Sequence, residues 1–137
     1  MPGQHLPVEG TLSHHLGIEF LETGPDHLCG RMPVDHRTRQ PFGVLHGGAS
    51  VALAETLMSY AANLCLERGR QYGVGLEINA NHIRSVREGW VTGTARPVHL
   101  GATTQVWACE IRDEADRIVC TSRMTIAVLD RAKEADG

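Results

Sequence analysis

The sequence lacks the paired cysteine spacing of common zinc sites and dithiol redox sites. Its four cysteines form no Cys-x-x-Cys pair and lie far apart along the chain, at Cys29, Cys65, Cys109 and Cys120. His14 and His15 are adjacent, so their side chains point apart, and no cluster with ligand spacing surrounds them in the sequence. We therefore expect reduced cysteines, no bound metal and no cofactor.

The sequence also lacks an excess of positive charge and a targeting segment. The net charge is −3 and the isoelectric point is near 6.2, so the overall field does not attract nucleic acid or an anionic membrane. Residues 1–7 have neither the basic nor the apolar region of a secretory signal. We expect a cytoplasmic protein that binds neither nucleic acid nor a membrane.

Low-complexity and disordered segments are absent as well. Of the 137 residues, 42% are hydrophobic and 21% charged, and the 15 glycines and 6 prolines follow no triplet period. A chain of this length has room for one domain. We expect a single domain over residues 1–137, with a core at about 15–130 and dispensable tails at 1–13 and 131–137.

The apolar and polar pattern predicts an α+β fold. Residues 17–23 and 28–34 are predicted to form a hairpin, and a turn-rich loop covers 35–45. A helix over 46–66 precedes four predicted strands at about 72–84, 89–100, 102–112 and 117–129. Their short connections predict antiparallel neighbours, with a hairpin turn at 85–88. We expect a sheet of about six antiparallel strands that curls around one long helix.

The predicted helix carries a single charge, Glu55. Its length approaches that of a membrane span, but the charge and several small polar residues favour a helix buried in a soluble fold. At 100° per residue, small side chains share the Glu55 face and large ones oppose it. The small ones are Gly48, Val51, Ala52, Ser59 and Ala62, and the large ones are Leu53, Leu57, Tyr60 and Leu64. A carboxylate beside such space is a candidate base or nucleophile, and the alternative is a buried Glu paired with an Arg.

The start of the helix, His46-Gly47-Gly48, offers unpaired backbone N–H groups at the positive end of the helix dipole. Such groups stabilise an oxyanion, although the glycines could simply let the chain enter a crowded helix start. Glu55 lies eight positions after Gly47, which is about 12 Å along a helix. If both act on one carbonyl, we predict a dimer in which Glu55 of one chain faces Gly47 of the other across a two-fold axis.

Several motifs occur in order over about residues 15–130. They are Pro33-Val34-Asp35, the run Gln40-Pro41-Phe42-Gly43-Val44-Leu45-His46-Gly47-Gly48-Ala49-Ser50, Leu53-Ala54-Glu55, the run from Gly73 to His82, and His99-Leu100-Gly101. Together they resemble the hot-dog-fold acyl-CoA thioesterases, and most closely the branch of 1,4-dihydroxy-2-naphthoyl-CoA hydrolase and the enterobactin proofreading thioesterase. The resemblance implies a hot-dog fold, active sites between subunits, and a homo-oligomer that is a dimer at least and a tetramer of paired dimers.

The resemblance implies roles for five residues around the helix. Glu55 matches the catalytic carboxylate, as general base or as nucleophile, and the Gly47 N–H matches the donor that polarises the thioester carbonyl. Gln40 and His46 match polar residues that help to hold that carbonyl. Ser59 matches a residue that helps to place the attacking water, and its i,i+4 spacing from Glu55 allows this contact.

The implied substrate is an acyl-CoA, whose phosphates require cations near the surface. His82 and Arg84 alternate onto one face of a predicted strand and are candidate phosphate ligands, although a solvated strand edge would carry the same residues. Phe42 and Met58 are candidates to line the acyl pocket, together with Leu45. The same side chains would suit an aromatic or an aliphatic acyl group.

The predicted reaction is hydrolysis of an aromatic acyl-CoA, such as a hydroxybenzoyl or dihydroxynaphthoyl ester, to the free acid and CoA. The alternatives are a phenylacetyl- or medium-chain aliphatic acyl-CoA, an ester on an acyl carrier protein, a hydratase reaction, and a non-catalytic acyl-CoA-binding module. The Gln40, His46 and Glu55 pattern favours hydrolysis over hydration. Binding alone does not require a buried carboxylate that lowers stability, so Glu55 argues against the binding module.

Overall fold

One long helix and six strands make up most of the chain, for which a computed structural model describes residues 7–132. The helices are α1 (Leu12–His15) and α2 (Gly47–Leu64), and the strands are β1 (Glu19–Gly24), β2 (His27–Val34), β3 (Gln71–His82), β4 (Gly89–Leu100), β5 (Thr104–Arg112) and β6 (Ile118–Asp130). The expected α+β architecture is confirmed, and the predicted boundaries of α2 and of the six strands lie within a few residues of the observed ones. No helix in the described part of the chain is both long and apolar enough to cross a membrane.

All six strands form one antiparallel sheet in the order β1-β2-β4-β5-β6-β3. The two edges are therefore β1, from the N-terminal hairpin, and β3, which follows α2. The strand β3 pairs with β6 along its whole length, from Gln71 opposite Asp130 to His82 opposite Cys120. Its other side has no neighbouring strand among the described residues.

The predicted hairpin between β3 and β4 is wrong. These two strands are not neighbours, and residues 83–88 cross from one part of the sheet to another. Backbone hydrogen bonds anchor this crossing segment at both ends: Ile83 N donates to Val119 O at 2.8 Å, and Leu45 N donates to Val86 O at 2.8 Å. Val86 is also buried. A short connection is compatible with a crossing when its own residues find such partners.

The core lies between α2 and the concave face of the sheet. Leu53, Leu57 and Met58 of α2 are fully buried. Two glycines let the helix approach the sheet closely, because an ideal Cβ would lie 2.5 Å from Leu57 Cδ2 at Gly30 and 2.8 Å from Leu57 Cδ1 at Gly93. The position of α2 therefore depends on the glycines in β2 and β4, which have no side chain, as well as on apolar burial.

The two faces of α2 differ in part from the expected ones. Ala62, expected beside Glu55, is fully buried, whereas Leu64, expected in the core, is 44% exposed and Tyr60 is only partly buried. The residues of α2 that face the sheet are buried whether they are large or small, and they include alanines. Side-chain size therefore did not predict which face of α2 is buried.

The expected N-terminal tail also differs from the structure at its inner end. Thr11 caps α1 by accepting a hydrogen bond from His14 N, and Ser13 Oγ shares a 2.9 Å hydrogen bond with Thr56 Oγ1 of α2. Residues 7–13 thus include the N-cap and the first residues of α1, which packs on α2. Residues 1–6 and 133–137 lie outside the described residues.

Candidate active site

The N-terminal end of α2 presents backbone donors to the surface. His46 is the N-cap, and its Nδ1 accepts a 2.7 Å hydrogen bond from Gly48 N. An accepting Nδ1 carries no proton, so the ring N–H is on Nε2. Within residues 7–132, the Gly47 N–H has no hydrogen-bond acceptor. This free donor stands at the positive end of the helix dipole, where an oxyanion is stabilised.

A cavity of about 270 Å³ opens beside this helix end, and we call it the helix-start cavity. Its lining brings together five of the predicted residues and adds Ser50, which was not predicted to belong to the site. The five are Gln40, Leu45, Gly47, His82 and Arg84. His82 packs against Gly47 so closely that an ideal Cβ on Gly47 would lie 2.9 Å from His82 Nε2. Glycine at this position therefore serves both the exposed N–H and the placement of the imidazole.

Gln40 is held by the loop that precedes α2. Its backbone N donates to Val44 O at 2.9 Å and its carbonyl accepts from Gly43 N at 2.9 Å. The side-chain oxygen accepts a hydrogen bond from Phe42 N. With its oxygen occupied in this way, the Gln40 amide nitrogen is the group left to donate to a ligand.

The same loop begins at an ion pair between Asp35 and Arg37. The two side chains approach to 2.7 Å, and Asp35 also accepts a hydrogen bond from Arg37 N at 2.9 Å. These hydrogen bonds from Arg37 lower the pKa of Asp35 to about 2. Asp35 O in turn accepts from Thr38 N, so the charged pair fixes the start of the segment that carries Gln40.

A second and larger concavity, of about 900 Å³, runs along the outer face of α2, and we call it the Glu55 groove. From the helix it is lined by Ala52, Glu55, Thr56, Ser59, Tyr60 and Asn63, and from the N-terminal segment by Pro7, Val8, Thr11, Leu12, Ser13 and Phe20. Predicted residues Glu55 and Ser59 are therefore together. The N-terminal residues were missed because nothing in their sequence shows that they fold back on α2.

An aromatic pair forms part of the groove. The rings of Phe20 and Tyr60 stack with centroids 4.6 Å apart and an interplanar angle of 28°. Burial raises the pKa of Tyr60 above its usual value, so its hydroxyl is neutral at physiological pH. Next to the pair, the Asn63 side chain accepts from Gly73 N at 2.8 Å and donates to Gly73 O at 3.3 Å, which joins the end of α2 to β3.

Glu55 itself is exposed in the single chain and forms no ion pair with any residue in 7–132. The alternative of a buried Glu–Arg pair is therefore wrong for one chain. The sheet covers only the opposite side of α2, which leaves Glu55 at the surface. Its Oε2 reaches toward β3, since an ideal Cβ on Gly75 would lie 3.4 Å from it.

Three predicted residues lie outside both concavities. Phe42 is 86% exposed, and Met58 is fully buried in the core, where the structure gives it a packing role. The exposed His46 caps α2 and does not line the helix-start cavity.

The two halves of the predicted chemistry are separate on one chain. The helix-start cavity and the Glu55 groove share no lining residue. Glu55 lies eight positions after Gly47 along the helix, a separation of about 12 Å. A single chain therefore offers donors for a carbonyl at one place and a carboxylate at another.

Comparison with known proteins identifies similar chains. A family model described as Thioesterase superfamily matches residues 42–120. The chain is 57% identical over 121 residues to 1,4-dihydroxy-2-naphthoyl-CoA hydrolase of Escherichia coli, which covers 88% of each chain. It is 54% identical over 120 residues to a proofreading thioesterase of Cronobacter turicensis, covering 88% of this chain and 87% of the relative. A crystal structure of a Haemophilus influenzae thioesterase superposes with a TM-score of 0.88 at 52% identity, covering 92% of this chain and 87% of the other.

Proposed function

Because this chain belongs to the thioesterase superfamily and is a thioester hydrolase, we propose that it hydrolyses an aromatic acyl-CoA to the free acid and CoA. The observation that carries the proposal is the stacked Phe20 and Tyr60 pair in the same groove as Glu55. A planar acyl group gains offset stacking on such rings in addition to burial. A hydroxybenzoyl or dihydroxynaphthoyl group has this shape, and the Escherichia coli relative is named for a dihydroxynaphthoyl ester.

Family membership also decides between some of the reactions that the sequence left open. The resemblance to hot-dog thioesterases is confirmed by the matching family and by the solved thioesterase structure. A thioester hydrolase is neither a hydratase nor a non-catalytic binding module, so these two alternatives fall away. An aliphatic acyl-CoA and an ester on a carrier protein stay as alternatives for the acyl donor.

The proposed site is composite, with one half from each of two chains. The Gly47 N–H and the Gln40 amide of one chain hold the thioester carbonyl, while Glu55 of the second chain activates water or attacks directly. In this arrangement the two concavities, which are separate on one chain, contribute to a single site at the contact of two chains. Ser59 lies one turn after Glu55 and helps to place the water, and the CoA thiolate leaves.

The free edge of β3 supports the pairing of two chains. Among residues 7–132 no strand pairs with this edge of the 12-residue strand, where Gly73 bonds the Asn63 side chain and Val74 and Leu76 are exposed. Such edges are templates for pairing with another strand. Gly75 of β3 lies next to Glu55, and His82 at its end lines the helix-start cavity. A dimer joined at this edge would bring both halves of the site close to the interface. The tetramer of paired dimers, the cytoplasmic location and the absence of a cofactor stay predictions.

The experiment that tests this function measures free thiol released from 4-hydroxybenzoyl-CoA and from hexanoyl-CoA. We expect the wild type to prefer the aromatic ester and Glu55→Gln to lose at least about a hundredfold in kcat, the smallest loss usual for removal of a general base. Glu67→Gln is the matched control, since Glu67 is exposed and pairs with Arg70 outside the groove, and it should keep full activity. A preference for the aliphatic ester would reject the proposed acyl class, and activity that survives in Glu55→Gln would reject the mechanism.

A further inference from the structure

The β1–β2 hairpin carries three metal-binding side chains, Glu22, His27 and Cys29, which we call the hairpin cluster. One carboxylate oxygen, one ring nitrogen and the thiol sulfur all lie within 4.8 Å of one another. Glu22 Oε1 is 3.4 Å from His27 Nε2 and 4.0 Å from Cys29 Sγ. Ligand atoms of a tetrahedral zinc ion lie about 3.3–3.6 Å apart for the usual bond lengths. Small side-chain movements would therefore close the cluster around an ion.

The strand register places these three side chains on one face of the hairpin. Glu22 is paired with Cys29, and His27 precedes Cys29 by two residues. A bulge between Phe20 and Glu22 creates this pairing, since without it Leu21 would stand opposite Cys29. The cluster faces away from α2, because the adjacent position 30 is the one that contacts Leu57. It lies outside both the helix-start cavity and the Glu55 groove.

A second set of contacts orients the possible ligands. His27 Nδ1 lies 3.1 Å from Asp26 Oδ1, and a proton held on Nδ1 leaves Nε2 free toward Glu22. Metal-binding histidines commonly donate their other ring N–H to a carboxylate in this way. Gly24 makes room for the ring, because an ideal Cβ there would lie 2.7 Å from Nδ1. Thr94 Oγ1 lies 3.3 Å from Cys29 Sγ and can donate to a thiolate.

We propose that the hairpin cluster binds a zinc ion through Glu22 Oε1, His27 Nε2 and Cys29 Sγ. Thiolate and imidazole ligands select zinc and similar transition metals over Mg²⁺ and Ca²⁺. Glu22 is exposed, so water completes the tetrahedral set. Binding releases the thiol proton of Cys29 to solvent. The ion ties the edge strand β1 to β2 by bonds that add to the backbone ladder.

The same geometry also has a metal-free interpretation, and the test must distinguish it from zinc binding. A protonated His27 can bridge Glu22 and Asp26 as a pair of surface salt bridges. That arrangement needs no thiolate, whereas the zinc site does. Cys29 is therefore the residue that discriminates between them.

The test titrates the metal-free full-length protein with Zn²⁺ in competition with a chromophoric chelator. We expect one zinc ion per chain, an affinity at least about tenfold weaker in Cys29→Ser, and about ten- to a hundredfold weaker in Asp26→Asn. With Co²⁺ as the probe, the wild type should show thiolate-to-cobalt charge-transfer absorption in the near ultraviolet, and Cys29→Ser should not.

Cys65→Ser is the matched control, because Cys65 is an exposed thiol at the end of α2. It should keep the zinc affinity and the cobalt band of the wild type, and zinc should raise the Tm of both proteins but not that of Cys29→Ser. Thioesterase activity reports correct folding of Cys29→Ser, since Cys29 lies outside both concavities. Equal zinc affinity in the wild type and Cys29→Ser, or loss of the cobalt band in Cys65→Ser, would overturn the proposal.

Discussion

Arg84 and His82 are the two basic side chains that line the helix-start cavity. We predict that Arg84→Gln raises the KM for an acyl-CoA about fivefold and leaves kcat nearly unchanged. The reason is that an exposed contact to a phosphate contributes about 1 kcal/mol and acts equally in the ground state and the transition state. Steady-state kinetics at low and high salt checks this, and high salt should reduce the effect.

Two comparisons sharpen the Arg84 experiment. Arg87→Gln removes an exposed arginine nearby that does not line the cavity, and its KM should match the wild type. The N-acetylcysteamine thioester of the same acid has no phosphates, so Arg84→Gln should hydrolyse it like the wild type. A similar KM change in both variants, or with both substrates, would contradict a phosphate contact at Arg84.

The Asp35–Arg37 pair should make stability depend on pH in the acid range. The pKa of Asp35 is lowered from 3.8 to about 2 by the hydrogen bonds from Arg37. A lowered carboxyl pKa stabilises the folded state above the unfolded value of 3.8, and this contribution is lost as the pH falls toward 2. Because the two side chains are 30% and 33% exposed, we discount the effect to about 1 kcal/mol in the free energy of unfolding.

Urea unfolding of wild type and Asp35→Asn at about pH 7, 4 and 3 measures this contribution. The difference between the two proteins should be largest near neutral pH and shrink at the most acidic point. Asp130→Asn is the control, since Asp130 is exposed and forms no ion pair within the described residues. A difference for Asp35→Asn that stays constant with pH would show that the charge of Asp35 is not its source.

The sequence predicted the members of the site better than their surroundings. Gln40, Gly47 and His82 line one cavity. The resemblance to the thioesterases identified Gln40, because the motif that carries it is continuous along the chain, and strand alternation pointed to His82. Phe20 reaches the Glu55 groove because β1 pairs with β2 at the edge of the sheet beside α2, a contact distant in sequence that no local pattern records. Met58 was misassigned because an apolar helix residue can face a ligand or a core, and the direction of the sheet decides between them.

At the scale of elements, α2 is held by a narrow arc of apolar contacts with the sheet. Leu57 is fully buried beside Gly30 and Gly93. We predict that Leu57→Ala lowers the free energy of unfolding by about 3 kcal/mol, the usual loss when a leucine leaves a cavity in a rigid core. Leu64→Ala, at a position 44% exposed, should lower it by less than about 1 kcal/mol.

Chemical denaturation of the two alanine variants compares the same chemical change on one helix. An equal loss of stability would mean that both leucines are buried in solution, as the helical wheel alone predicted, and that another surface covers Leu64. The structure of one chain predicts clearly unequal losses.

Strand positions were predictable from sequence, whereas strand order was predictable only in part. Each strand has its own period of two, and turn residues such as Gly24 and Gly101 mark the ends of several. The pairing of β3 with β6 depends on where the segment 83–88 finds hydrogen-bond partners, and these lie at Val119 and Leu45, distant in sequence. Local pattern therefore determined the elements, and non-local hydrogen bonds determined which strands became neighbours.

At the scale of the whole molecule, the separation of the helix-start cavity from the Glu55 groove makes a prediction about subunit exchange. Gln40→Ala and Glu55→Gln damage different halves of the proposed site. In a mixed dimer, one site receives both damaged halves and the other receives none. Equal amounts of the two variants, randomly exchanged, should therefore recover about a quarter of the wild-type activity, because half of the dimers are mixed and half of their sites are intact.

The control for this experiment mixes Glu55→Gln with Glu55→Ala, a pair that leaves no intact site in any combination. Thiol release from an aromatic acyl-CoA is measured before and after the subunits exchange, so recovery is seen against each parent protein. If the carbonyl donors and the carboxylate served one site within a single chain, neither mixture would gain activity, since each chain would carry its own defect. Recovery confined to the first mixture would therefore show that Gln40 and Glu55 reach the same thioester from different chains, as the separation of the helix-start cavity from the Glu55 groove requires.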